Sequence, residues 1–230
     1  MRLSIVMPVL NEAPHVREAL APLQPLRERG HQVIVVDGGS SDGTLGQLDG
    51  LVDLAIASSR GRATQLNAGL ERAAGEVVLF LHADTVLPAH ADEHIQAGLA
   101  VAGRAWGRFD VSIVGRSMLL PIVAAMMNSR SRLTGIATGD QAIFALRSAL
   151  NSIGGVPGLA LMEDIELSKR LKRVSPPACL RERVATSGRR WDLDGSLRTI
   201  VLMWALRLAY YLGVSPEWLA RTYYGSRRPA

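Results

Sequence analysis

Val33-Ile34-Val35-Val36-Asp37-Gly38-Gly39-Ser40-Ser41-Asp42-Gly43-Thr44 is the stretch on which the fold turns. Four β-branched residues in a row read as a strand buried on both faces, the pattern of a parallel sheet. The apolar run ends on an acid, then a Gly/Ser loop leads toward a helix. Val77-Val78-Leu79-Phe80-Leu81-His82-Ala83-Asp84-Thr85 repeats this arrangement, with His82 and Asp84 just past the apolar residues. In open α/β sheets, ligands bind outside the carboxyl ends of the strands, near the topological switch point. Acids at two such ends suit a ribose and a metal-bound diphosphate.

Working outward, Leu3 to Met7 reads as a first strand stopped by Pro8, which lacks the N–H that a central ladder needs. Asn11 is placed to cap a helix from about Pro14 to Arg29, ended by Gly30. Ser41 or Asp42 opens a short helix, Leu54 to Ala57 is a third strand, and a helix from Arg62 to Ala74 leads through Gly75 into the strand Glu76 to Leu81. Strand–helix alternation with short loops predicts a parallel sheet. Beyond Pro88 the pattern loosens. Helices are expected at His90 to Val101, Ser117 to Ser131, Glu163 to Val174, Leu197 to Leu212 and Glu217 to Tyr223. Strands are expected at Ala105 to Ile113, Gln141 to Leu146 and Ala178 to Ala185. No repeat or linker divides the chain, so a single domain over 1–230 is expected, with 193–230 as a C-terminal helical extension.

The 230 residues suffice for one substantial core, with 48% hydrophobic and 20% charged residues. The lone Cys179 excludes an internal disulfide and fits a reducing cytosol. The N-terminus enters a strand at once, without the longer apolar stretch of a signal peptide. The expected location is cytoplasmic. Net charge is +5, and of 26 basic residues only Lys169 and Lys172 are lysines. Arginine's planar fork suits phosphates, though genomic composition produces the same bias. With no basic stripe interleaved with aromatics, no helix-turn-helix and no zinc pattern, nucleic acid is not an expected partner.

Pro8-Val9-Leu10-Asn11-Glu12, Val36 to Thr44, Gly75 to Asp84 and Glu163-Asp164 resemble, in order and spacing, the motifs of family 2 glycosyltransferases with the GT-A fold. The similarity covers roughly the first three-quarters of the chain. In detail it resembles a small bacterial subgroup with His-Ala-Asp-Thr at the metal motif and Thr-Ser-x-Arg-Arg-Trp late in the chain. The resemblance implies an α/β fold, a Rossmann-like, mainly parallel mixed sheet flanked by helices. It also implies transfer of one sugar, with inversion, from a nucleotide-diphosphate sugar (UDP-sugars first) to an acceptor hydroxyl.

The resemblance assigns Pro8, Asn11, Glu12 and Asp37 to the donor nucleotide, with His82 and Ala83 beside it. The alternative for Asp37 is to cap the turn into the next helix. Asp84 is the candidate ligand for Mn²⁺ or Mg²⁺, since one carboxylate with diphosphate oxygens and waters can hold such a cation. The family's Asp-x-Asp has become His82-Ala83-Asp84 here. Imidazole suits Mn²⁺ better than Mg²⁺, and a bond from His82 to ribose or phosphate is the alternative. Glu163 and Asp164 open a helix, where acids are favourable. In the resembling family the Asp is the general base that takes the acceptor proton, with Glu163 beside it.

Arg60 and Arg62 stand at a loop–helix junction suited to phosphate, or form a solvated basic surface. Asp140 and Gln141 match a segment lining the acceptor side. Arg190 and Trp191 resemble the Gln-x-x-Arg-Trp of processive synthases without its Gln, with Arg190 expected to grip diphosphate. A nucleotidyltransferase, or a sugar-nucleotide-binding protein of similar fold without transfer, is the alternative. The first would carry a Gly-rich loop after strand one, where this chain has Val9-Leu10-Asn11-Glu12-Ala13. A dinucleotide oxidoreductase lacks its Gly-x-Gly-x-x-Gly at the first turn. The acceptor is unidentified. Apolar segments at 119–127 and 200–206, flanked by arginines, fit a peripheral membrane contact with a lipid acceptor, or alternatively the core or a homodimer.

Overall fold

A computed structural model of the chain describes residues 1–225. Strands β1 (Leu3–Val9), β2 (Gln32–Asp37), β3 (Leu54–Ala57) and β4 (Val77–Phe80) are mutually parallel where they pair. Ile5 stands opposite both Val33 and Leu79, and Val9 opposite Asp37. The carboxyl ends of β1, β2 and β4 therefore share one edge.

Four more strands complete the sheet: β5 (Thr85–Val86), β6 (Trp106–Val114), β7 (Phe144–Leu146) and β8 (Ala178–Ser187). The order across it is β3-β2-β1-β4-β7-β6-β8-β5. β7 runs antiparallel to β4 and to β6, while β8 runs parallel to β6. Two reversals restore the direction, so β6 and β8 also end at the edge where Asp37 and Asp84 stand. The sheet is thus mixed, with its parallel half where the sequence predicts it.

Both faces of the parallel half are covered. Ile5, Val33, Val35 and Leu79 point into one buried cluster, whereas Val6, Ile34, Val36, Val78 and Phe80 point into another. This is the period-two alternation of a strand, and it explains why the runs are apolar throughout. The second cluster takes Ala63, Leu66 and Leu70 from α3 (Arg62–Glu71). Gly69 of α3 lies against β1: a Cβ there would meet Val6 Cγ1 at 2.3 Å. Only glycine permits that approach.

Several boundaries differ from expectation for identifiable reasons. The helix expected over 14–29 is broken into α1 (Val16–Leu20), a 3₁₀ turn (Ala21–Leu23) and α2 (Gln24–Glu28). Pro22 and Pro25 each remove a helical donor and crowd the preceding turn. Asn11 is not its cap, because the helix starts after His15 and Asn11 sits at φ 54 with Oδ1 accepting from Ser41 N–H at 2.9 Å. A 3₁₀ turn at Thr44–Gln47 replaces the short helix expected after Ser41. α4 (Ala91–Ala100) and α7 (Glu163–Val174) lie close to prediction. α5 (Leu120–Thr134) begins next to Pro121 and ends at Gly135, whose φ of 67 favours glycine. α6 (Arg147–Ser152) and α8 (Arg189–Asp194) lie where no helix is predicted.

The chain continues with α9 (Ser196–Tyr211) and α10 (Pro216–Tyr224). Leu206 and Leu219 of these helices share a third cluster with Ile136, Leu161, Met162 and Ile165. Residues 226–230 of the expected extension lie outside those described.

Candidate active site

The strand ends surround a cavity of about 790 Å³. Pro8, Val9, Leu10 and Glu12 form one wall, Arg60 to Arg62 and Gln65 a second, and His82, Ala83 and Asp84 the floor. Ile113, Thr186 and Ser187 enter from β6 and β8, and residues of α8, α9 and α10 close the far side. The cavity therefore lies where an open α/β sheet places a ligand.

Asp37, only 1% exposed, accepts from Gly39 N–H at 3.1 Å and Ser40 N–H at 2.9 Å through Oδ2. Its Oδ1 is buried without a partner. The capping role and an available acceptor thus coexist on one carboxylate, and an orphaned buried oxygen is costly unless a donor reaches it. Gln65 of α3 was not foreseen from the sequence. Its amide donates to Val9 O at 2.9 Å and Val36 O at 2.8 Å, tying the ends of β1 and β2 together beneath the Gly38 turn. The available signal was a polar residue on the buried face of an otherwise apolar helix. Asn11 is not on the cavity wall; its bonds to Ser40 and Ser41 join the β1 and β2 loops instead.

Asp84 is exposed at the cavity floor, and its only side-chain hydrogen bond among the described residues is a long one of 3.4 Å from Thr85 Oγ1. No group of three or more His, Cys, Asp or Glu able to hold a metal exists among the described residues. This donor set fits a Mg²⁺- or Mn²⁺-type ion that borrows most ligands from diphosphate and water, and does not fit an all-protein cage. Glu12 stands close by. Burial raises its carboxyl above the ordinary value, the Arg189 charge opposes this, and the Asp84 charge adds to it.

His82 and Asp140 form a pair, Nδ1 to Oδ1 at 3.3 Å, with Asp140 47% exposed to the cavity. Burial would raise the Asp140 carboxyl, but the His82 bond and the charges of His82, Arg62 and Arg207 hold it below the usual range. The other edge of the ring faces Gly139, where a Cβ would meet His82 Nε2 at 2.5 Å. Nδ1 of His82 thus faces Asp140 while Nε2 lies against a backbone turn. Gln141 is fully buried, donating to Ser131 Oγ at 3.0 Å, so it supports this turn and does not line the cavity.

Glu163 and Asp164 begin α7 in a cleft shared with Arg62, His82 and Gly139. Asp164 accepts from Gly139 N–H at 3.0 Å and from Ile165 N–H at 2.7 Å, holding the Gly139–Gln141 turn against the helix. Glu163, 4% exposed, lies 3.6 Å from Arg62 Nη1. Burial, then the Asp164 charge, raises its carboxyl above the usual value of 4.5, while Arg62 pulls the other way. A carboxyl raised in the folded state contributes stability below its unfolded pKa and loses it as pH rises through the folded one. Glu163→Gln should therefore gain stability relative to the parent as pH climbs from about 4 to about 8. Melting both proteins across that range checks it, and a pH-independent difference would contradict it.

Arg190 stacks on Tyr223, its guanidinium carbon 3.8 Å from the ring centroid, and Trp191 lines the cavity next to it. Thr199, Met203, Arg221 and Tyr224 from α9 and α10 complete that wall. These were not singled out from the sequence, where apolar periodicity marks the helices but not what they face.

The description Glycosyl transferase family 2 matches residues 4–118. The poly-beta-1,6-N-acetyl-D-glucosamine synthase of Staphylococcus epidermidis is 28% identical over 189 residues, 74% of this chain and 45% of the relative. The chain thus spans about half the length of the curated relatives it matches. Among solved structures, the mannosyltransferase of Pyrobaculum calidifontis in complex with GDP-Man and Mn²⁺ is similar at TM-score 0.61 and 24% identity, over 80% of this chain and 56% of that one. S. aureus TarS 1–349 in complex with UDP-GlcNAc is similar at TM-score 0.66 and 20% identity, over 81% and 58%. At such identities these structures establish the shared fold.

Proposed function

The chain belongs to glycosyl transferase family 2, and on that premise we propose that it moves one sugar from a nucleotide-diphosphate sugar to an acceptor hydroxyl with inversion. The observation that carries this reading is the cavity at the strand ends, with Asp84 on its floor, Asp140 on its wall and the unused Asp37 oxygen beneath its loops. UDP-sugars are the preferred donors, in keeping with the UDP-GlcNAc bound to TarS.

Asp37 Oδ1 accepts from the base or ribose, and Pro8, Val9, Leu10 and Glu12 wall the nucleotide. Arg60, Arg62 and Arg190 meet the phosphates. Asp84 would hold a Mn²⁺ or Mg²⁺ ion, which would supply positive charge to neutralise the leaving diphosphate. Asp164 takes the acceptor's proton as the oxygen bonds to C1 and the C1–phosphate bond breaks, its electron pair leaving with the nucleoside diphosphate. Asp140 is a second reading for the base, favoured by its exposure to the cavity and its His82 partner. We place this chemistry in the cytoplasm.

Thermal unfolding with UDP and Mn²⁺ tests the donor site. At a hundredfold excess over the dissociation constant, stabilisation of about 2.7 kcal/mol is expected. Asp84→Ala should lose the metal-dependent part of it. No response to any nucleoside diphosphate in the parent protein would refute the donor site. Hydrolysis or transfer of the sugar then separates a transferase from a binding protein.

A further inference from the structure

Helices α5 and α9 carry an unusual combination of exposed apolar residues and unpartnered arginines. On α9, Leu197, Val201, Trp204, Leu208 and Tyr211 are all 60% exposed or more. Their spacing of four, three, four and three residues is that of one helical face. On α5, Ile122, Met126 and Leu133 are exposed in the same manner. Neither helix contains a single Asp or Glu. No helix among the described residues is long and apolar enough to cross a membrane.

Arg130 of α5 and Arg207 of α9 stand beside these stripes, one turn after Met126 and one turn before Tyr211. Neither guanidinium makes a hydrogen bond or ion pair with a described residue. The Nε of each and Nη2 of Arg130 are buried without a partner, so what remains accessible is terminal guanidinium nitrogen. The two charges disfavour each other: burial first, then Arg207, brings Arg130 down to about 10. Asp164 acts on Arg130 and Arg207 on Asp140, but neither carboxylate is bonded to either guanidinium, so the two like charges leave room for an anion from outside. The accessible guanidinium N–H groups can donate to phosphate oxygens.

We propose that the α5–α9 face docks on an anionic phospholipid leaflet, with the exposed stripes at the interface and Arg130 and Arg207 receiving a lipid phosphate. Trp204 and Tyr211 are residue types that settle at a headgroup boundary, and apolar area combined with basic charge is what holds a helix in the interface plane. Charge decides against the other occupant, a second copy of the chain. A two-fold contact sets a patch against itself, and this patch would oppose arginine to arginine with no acid on either helix. Both arginines also act electrostatically on the site, Arg130 on Asp164 and Arg207 on Asp140. The docking face therefore borders the acceptor side of the cavity.

Cosedimentation of the full chain with vesicles, without nucleotide, tests this independently of the donor chemistry. Vesicles of phosphatidylcholine with about one-third phosphatidylglycerol should bind the protein, and salt should weaken binding. Pure phosphatidylcholine should bind it far less. Arg130→Gln with Arg207→Gln should weaken binding about thirtyfold, from about 1 kcal/mol per basic residue near the surface. Trp204→Ser with Leu208→Ser should weaken it as well. Unchanged melting would show that both variants are folded. Equal partitioning onto neutral and anionic vesicles, no partitioning, or full binding by the arginine variant overturns the proposal. So does a dimer that buries the stripe, or inorganic phosphate binding as tightly as the vesicles.

Discussion

Replacing Asp164 by Asn should lower sugar transfer by about 10²–10⁴-fold while nucleotide binding stays near its original strength, because a general base acts on the acceptor proton alone. The substitution also touches structure. Both carboxylate oxygens accept backbone N–H groups, from Gly139 and Ile165. An Asn amide would turn a donor toward one of them, at a cost of about 1–3 kcal/mol in stability. Melting and UDP binding therefore have to accompany the kinetics. A folded, nucleotide-binding Asp164→Asn protein with near-normal turnover would remove Asp164 as the base. Asp140→Asn is the informative companion. Lost turnover there, with Asp164→Asn active, would transfer the role to the carboxylate that His82 faces.

The second large effect is structural. Asp110 on β6 accepts two bonds from Arg132 Nη2, at 2.8 and 2.7 Å, and another from Arg108 Nη1. Arg108 is 1% exposed and, among the described residues, has only the carbonyls of Asn128 and Leu180 as further partners. Asp110→Ala would leave the Arg108 charge buried and uncompensated, which typically costs about 3–5 kcal/mol. Arg132, partly exposed, can turn to water. Removing the buried charge as well, with Arg108→Met and Asp110→Leu, should recover much of the loss. Urea denaturation of the three proteins measures this, and a loss below about 1 kcal/mol in Asp110→Ala would contradict the assignment.

The Arg108–Asp110–Arg132 network illustrates why part of this chain was illegible. Arg108 and Asp110 alternate in sequence as a solvent-facing strand would, yet Asn128 and Arg132 on α5 cover them. What covers a strand is decided by elements remote in sequence. The same holds for β6 and β8, whose pairing joins Gly107 to Ala178 across a helix-rich segment. It holds too for β5, two residues that become a strand only because β8 passes alongside.

What the sequence determined by itself is the parallel half of the sheet and the acids at its edge. Unbroken β-branched and apolar runs leave few conformations that bury both faces, and each run stops where polar residues begin, so Asp37 and Asp84 had to emerge at strand ends. Tertiary structure alone decided what those acids meet. Packing buried Asp37 with one oxygen unused, seated Gln65 across two strand ends, turned His82 onto Asp140 and brought α8 to α10 over the cavity. The Gln65 and His82 contacts join residues tens of positions apart. Local propensity carries no information about them, because they arise only when the separate apolar faces are buried together.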